Sequence, residues 1–261
     1  MPQPAPLHTR SIFDDNASMQ YLDLTLSTAA ENLALDESLL DEAETADAPS
    51  ETLRLWESRQ PMVVVGRSSR IADEVRLDAC RELGIPVLRR VSGGAAILAG
   101  PGCLMYALVL DYRLRPELRA VDRAHRWVLG TLASALETRV PGVQCRGTSD
   151  LAIGNQKFSG NSARCRREHI LYHGTLLYDF PLQLIERCLK MPPRTPDYRA
   201  GRSHDGFVTN LPMQADEIRR LLAETFDARE PRDAWPELCV ARLASEKYGR
   251  PEWNDPAEKI V

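Results

Sequence analysis

The sequence predicts an α+β fold, a mixed β-sheet with helices packed on it, and two observations carry that reading. Apolar runs of strand length and composition, Val63-Val64-Val65 and Leu104 to Leu110, fall in the first half and middle of the chain, and such unbroken runs mark strands covered on both faces. Stretches with helical spacing of apolar residues flank them, so strands dominate the centre and helices surround it.

The 261 residues are 43% hydrophobic and 27% charged, the balance of a soluble globular chain with one large domain or one domain and an appendage. A net charge of −4 provides no basic field for nucleic acid or an anionic membrane. No apolar run approaches the ~20 residues that span a bilayer. Residues 1–18 lack an apolar signal core and contain Asp14-Asp15, so they read as a poorly ordered leader on a cytoplasmic protein. Cys80, Cys103, Cys145, Cys165, Cys188 and Cys239 are scattered without a CxxC pair, which points to reduced thiols.

Taken in order, Leu22 to Leu26 alternates as a half-buried strand does, and Ala29 to Glu42 is an amphipathic helix capped by Ser27 or Thr28. Thr52 to Trp56 and Met62 to Val65 are strands around a turn at Arg59-Gln60-Pro61. Ala72 to Leu83 is a charged helix stopped by Gly84. Val87 to Leu110 then reads as two strand-like runs joined by the loop Ser92-Gly93-Gly94-Ala95-Ala96, with Arg89 and Arg90 at its entrance. In that loop glycine lets main-chain amides approach an anion closely. The same stretch also fits a tight turn whose arginines only face solvent.

Beyond it, Pro116 to Arg139 is helical, Asp150 to Ile153 and Lys157-Phe158 form a hairpin about Gly154-Asn155, and Ser159 to Ala163 reads as a second small-residue loop. Leu171 to Tyr178 is a strand, Leu182 to Leu189 a helix, and Pro192 to His204 a loop rich in proline and arginine. The segments 215–226 and 234–248 are helical. The predicted organisation is a leader at 1–18, a catalytic domain at 19–214 and a short helical C-terminal segment at 215–261.

Several side chains have chemistry to offer. Lys157, set just before the second loop, can place an ammonium against a phosphate or an acyl carbonyl; it equally fits an ordinary exposed lysine. Asp150 either orients that lysine or holds a metal ion, or simply opens a turn. His173 is a ligand contact or a satisfied core histidine. Cys145 and Cys165, with arginines beside them, are candidate acyl-accepting nucleophiles or inert small hydrophobes.

Six segments in succession make the pattern specific: NLALDESLL, LRLWESRQPMVVVGRSS, LRRVSGGAAIL, GTSDLAIGNQKFSGNSA, YHGTLLYDF and VTNL. In that order, from about Tyr21 to Leu211, the chain resembles the lipoate–protein ligase A family, within the wider group of biotin and lipoate ligases and octanoyltransferases. The resemblance implies the biotin/lipoate ligase catalytic fold, related to class II aminoacyl-tRNA synthetase cores. It implies ATP and Mg2+ as cofactors and lipoate or octanoate as substrate. The implied acceptors are lipoyl domains of 2-oxoacid dehydrogenases or the glycine-cleavage H protein. Carried over by position, Arg90, Ser92, Gly93, Gly94, Ala95, Ala96, Ile97, Leu98 and Asp150 would bind the nucleotide or acyl-adenylate, with Asp150 also near its magnesium. Lys157 would be catalytic. Asn32, Val65, Gly66, Ser159, Gly160, His173 and Gly174 would line the acyl pocket.

Two departures stand out. The family's third loop glycine is Ala95 here, expected to restrict φ and reshape the loop, and its histidine position is Ala99. Only about 50 residues follow Leu211, which leaves open a separate accessory subunit, use of preformed acyl-AMP, or no use of ATP. In the last case the chain would be a transferase that passes an acyl thioester through a cysteine, with Cys145 as the candidate nucleophile. A member that only binds its partners is the third reading.

Overall fold

The computed structural model describes residues 19–255, so the expected leader lies outside the described residues. Strand β1 (Gln20–Asp23) leads into helix α1 (Ala29–Thr45). Thr28 accepts from the Glu31 amide while the Glu31 carboxylate accepts from the Thr28 amide, a capping box that fixes where the helix starts. β2 (Thr52–Trp56) and β3 (Met62–Val65) have their expected bounds. The helix expected at 72–83 is instead two short ones, α2 (Ile71–Glu74) and α3 (Leu77–Glu82), because Val75 between them is extended and bridges to Leu189.

β4 (Val87–Arg89), β5 (Ile97–Ala99) and β6 (Cys103–Asp111) come from the central stretch. A 3₁₀ turn at Pro116–Arg119 precedes α4 (Val121–Glu137), where one helix was expected. β7 (Val143–Arg146), β8 (Asp150–Ile153), β9 (Gln156–Cys165) and β10 (His169–Leu177) follow. The remainder is α5 (Gln183–Cys188), α6 (His204–Phe207), α7 (Ala215–Thr225), the short β11 (Glu230–Pro231), α8 (Glu237–Leu243) and α9 (Pro251–Asn254).

The strands make two sheets. One is mixed and has the order β11-β1-β2-β6-β10-β9-β8-β7; the other has the order β4-β3-β5. This mixed-sheet α+β architecture is the expected class, but two local expectations fail. The runs on either side of the small-residue loop are not a hairpin: β4 pairs with β3, whereas β6 lies between β2 and β10 in the other sheet. The loop instead joins β4 to β5, the two edges of the small sheet, and residues 100–102 cross to β6 in the large one. Ser159 to Ala163 is not a loop either, because it lies within β9, paired to β8 on one side and β10 on the other.

Alternation along β6 organises the interior. Cys103, Met105, Ala107 and Val109 face the core shared with α1 and the small sheet. Leu104, Tyr106, Leu108 and Leu110 face a second core covered by α4 and α7. α8 packs on α1, and the π-helical turn that follows it (Ala244–Tyr248) brings Lys247 and Tyr248 to bond the buried carboxylate of Glu37. No helix among the described residues is long and apolar enough to cross a membrane.

Candidate active site

The loop between β4 and β5 is held by its carbonyls. The buried Arg90 donates from Nη1 to Val64 O (3.0 Å), from Nη2 to Gly93 O (2.5 Å) and Ala95 O (3.0 Å), and from Nε to Ser92 Oγ (3.1 Å). Desolvation pulls its pKa down to about 10, with the Glu74 charge opposing. Arg90 thus shapes the loop from within. Arg89 is buried too: it holds the carbonyls of Gly66, Arg67 and Ser69 and is itself held by Trp253 and Asn254. The solvent-facing reading of both arginines is therefore wrong.

Ser69 and Ser162 donate to Gly94 O and Gly93 O, at 3.0 and 2.9 Å. Gly66 packs so tightly on Gly94 that a Cβ there would collide with the Gly94 carbonyl. With the carbonyls taken, the amides of Gly94 and Ala95 have no hydrogen-bond partner among the described residues. Glu74 accepts from the Ala96 amide. The positive φ of this loop falls at Gly94 (87°) and not at Ala95, so alanine at 95 does not strain the backbone as expected.

Lys157 stands opposite. Its Nζ lies 2.7 Å from Asp150 Oδ1, and Asp150 Oδ2 accepts from Tyr198 Oη at 2.8 Å. The Arg146 guanidinium stacks on the Tyr198 ring at 5.0 Å. Gly160 leaves room for the ammonium, since a Cβ there would sit 2.9 Å from Nζ. The segment that ends in VTNL braces the strand, with the Thr209 amide bonded to Lys157 O at 2.9 Å. Asp150 serves an ammonium and a hydroxyl, and no cluster of three or more potential metal ligands exists among the described residues. The donor set does not fit a protein-held magnesium ion.

A third group lies on α1 and β10. Ser92 Oγ is 2.5 Å from His173 Nε2, His173 Nδ1 is 3.7 Å from Asp36 Oδ2, and Asp36 Oδ1 is 2.5 Å from the fully buried Arg54. The buried charges are paired, as burial demands.

These groups enclose a cavity of about 410 Å³, walled by Leu33, Asp36, Val64 and Met105, by the loop at Gly94 to Ile97, by Lys157 and Gly160 to Ser162, by His173 to Thr175, and by the Pro192–Arg199 segment. A smaller, more apolar chamber of about 120 Å³ adjoins it, lined in part by Leu98, Phe158, Ser159, Leu177 and Phe207; Lys157 and Gly160 border both. The structure therefore brings together Arg90, Gly94, Ala95, Ala96, Ile97, Asp150, Lys157, Gly160, His173 and Gly174, with Leu98 and Ser159 in the smaller chamber.

Other expected site residues do not line either chamber. Asn32 is turned to the base of α1, bonding Leu26, Thr28 and Arg54, and its place in the wall is taken by Leu33 and Asp36. Val65 points into the core and Gly66 into the Gly94 contact, so Val64 faces the cavity. Ser92 and Gly93 support the loop from behind. Cys145 lies on β7, exposed and outside both chambers, with its thiol pushed up by desolvation, the opposite of an activated nucleophile. Asp36 and Tyr198 were missed. Asp36 lies four residues after Asn32 on the same helix, a spacing that signals one shared face; Tyr198 carried no signal.

The lipoyl protein ligase A/B catalytic domain model matches residues 28–228. The chain belongs to that family. It is an enzyme of protein lipoylation, which attaches lipoate to protein. Among members, a protein described as a putative lipoate-protein ligase A of Aeropyrum pernix is 29% identical over 75% of this chain and 69% of its own. The lipoate-protein ligase A subunit 1 of Thermoplasma acidophilum is 26% identical over 85% and 90%. The octanoyltransferase LipM of Symbiobacterium thermophilum is 27% identical over 89% and 96%. In fold, the chain is similar to the bipartite lipoate protein ligase of T. acidophilum, described with its E2 lipoyl domain (TM-score 0.77, 23% identity, 91% and 96% covered). It also resembles a lipoate-protein ligase A bound with ATP (TM-score 0.71, 24% identity, 91% and 98% covered). The family's ligase fold is thus the fold of this chain.

Proposed function

We propose that this enzyme joins lipoate or octanoate to an acceptor lysine through an acyl-AMP intermediate. The observation that carries the reading is that one ammonium and two unpartnered amides face a cavity with apolar walls: Lys157 on one side, Gly94 and Ala95 on the other. An acyl tail lies in the larger cavity along Leu33, Val64 and Met105, and the adenylate head sits between the loop and Lys157. The acid's carboxylate oxygen bonds the α-phosphorus of ATP and pyrophosphate leaves. Lys157 and the two amides, already fixed in place, stabilise the charge that grows there. The acceptor lysine's neutral amine then attacks the acyl carbonyl, the C–O bond to phosphate breaks, the nitrogen gives up a proton to solvent, and AMP leaves. Asp150 keeps the ammonium aimed, and no step runs through a metal ion held by the protein.

The expected acceptor is a lipoyl domain of a 2-oxoacid dehydrogenase or a glycine-cleavage H protein, in the cytoplasm. A separate accessory subunit fits the likeness to a ligase described as bipartite. Mass spectrometry of a purified lipoyl domain tests the reading: incubation with this protein, lipoate and Mg-ATP adds a lipoyl group, and Lys157→Ala abolishes the addition. A domain modified only when octanoyl-carrier protein replaces acid and ATP overturns it.

The likeness to an octanoyltransferase over 96% of that protein favours one second reading, acyl transfer from a thioester without ATP; Cys145, the expected nucleophile for it, lies outside both chambers. Supplying octanoyl-carrier protein in place of octanoate and ATP separates the two, since only the transferase uses it.

A further inference from the structure

At the acyl cavity's inner wall two polar atoms face each other without bonding. Ser92 Oγ accepts from Arg90 Nε, and the acceptor in reach for its own proton is His173 Nε2, 2.5 Å away. With Nε2 accepting from Ser92, this network puts an N–H at His173 Nδ1. That N–H stands 3.7 Å from Asp36 Oδ2, beyond hydrogen-bond distance, and neither atom has another hydrogen-bond partner among the described residues. Asp36 Oδ1 is already engaged by Arg54. Both residues border the cavity, so one donor and one acceptor are left facing a gap. An oxygen can stand roughly 2.8 Å from both atoms.

The gap lies where the far end of a chain would reach. Thr175 Oγ1 meets the Gly160 amide beside Lys157 (3.4 Å), and His173 lies two residues back along β10 on the same face, roughly 7 Å away. Leu33 and Met105 make the surrounding wall apolar.

We infer that this end of the cavity selects acyl chains that carry a hydroxyl or thiol near their far end over chains that end in a plain methyl. The inference rests on the acyl-binding reading above. A hydroxyl or thiol accepts from His173 Nδ1 and donates to Asp36 Oδ2. A methyl in the same place strips both atoms of water and returns nothing. An oxidised dithiolane, which only accepts, falls between the two.

Isothermal titration of the purified protein and two His173 variants with octanoate, 8-hydroxyoctanoate and dihydrolipoate under reducing conditions tests this. The two polar-ended acids bind about three- to tenfold more tightly than octanoate. In His173→Met the ratio falls to near one, and in His173→Gln, which keeps a donor, part of it returns. Octanoate binding as tightly as 8-hydroxyoctanoate overturns the inference and leaves the acyl-binding reading standing. A preference that persists in His173→Met also overturns it. Failure of all three acids to bind overturns both.

Discussion

Replacing Gly160 by alanine separates the placing of Lys157 from the folding of the strand that carries it. A Cβ at 160 would lie 2.9 Å from Lys157 Nζ and 3.0 Å from Cε. Ordinary contact begins at 3.4 Å, so the ammonium must move by at least 3.4 − 2.9 = 0.5 Å. The obstructed atoms are the free end of a flexible side chain, and the φ of Gly160 is not positive, so the backbone accepts alanine. Alanine in a strand gains roughly 0.5–1 kcal/mol over glycine, which offsets the local crowding. Stability therefore stays within about 1 kcal/mol of the parent. Catalysis does not, because a displacement of ~1 Å at a reacting group costs roughly 100-fold, and half of that is expected to cost about tenfold or more. Single-turnover formation of acyl-AMP, read beside thermal unfolding, measures both quantities. An unchanged rate in a folded variant would refute the view that the ammonium acts from the place described.

Tyr198→Phe removes one of Asp150's two partners; the expected loss is about 1 kcal/mol of stability and several-fold in kcat, checked by denaturant titration and steady-state lipoylation. Asp36→Ala leaves the fully buried Arg54 guanidinium without its carboxylate and should cost roughly 3–5 kcal/mol, visible as a lower denaturation midpoint. Acidification should destabilise the protein through His204, whose pKa is lowered first by burial and then by the Arg199 charge, against Glu186. The unfolded chain takes up that proton below about pH 6.5 while the folded chain still resists, so stability present above this value is lost as pH falls through the folded pKa. Tm compared at pH 7.5 and 5.5 should fall, and fall less in His204→Asn; a flat profile refutes the assignment.

How much of this could be read from sequence depended on the kind of signal. β2, β3 and β8 were legible because their apolar or alternating residues are bracketed by Pro61, Gly66 or Gly154. Ser159 to Ala163 was misread because its residues are small for reasons a loop does not share. Gly160 clears the Lys157 ammonium, and Gly174 across the strand pair clears the Asn161 side chain. The six motifs located Lys157, Asp150 and the loop. They did not reveal which face of α1 meets the cavity, where Leu33 and Asp36 stand in the wall and Asn32 does not. Tyr198 reaches Asp150 across 48 residues through an irregular segment, a pairing no local periodicity encodes. The missing glycine at Ala95 was visible, but only the backbone shows that Gly94 bears the positive φ.

The grip of Trp253 and Asn254 on Arg89 has a temporal meaning during synthesis. Arg89 steadies the Gly66–Ser69 turn, which in turn abuts Gly94, so the Gly94 loop is fastened by the last described helix to be made. A nascent chain halted at residue 250 already carries every wall residue and yet holds them slackly. Ligand competence therefore waits on residues 251–254, which line neither chamber.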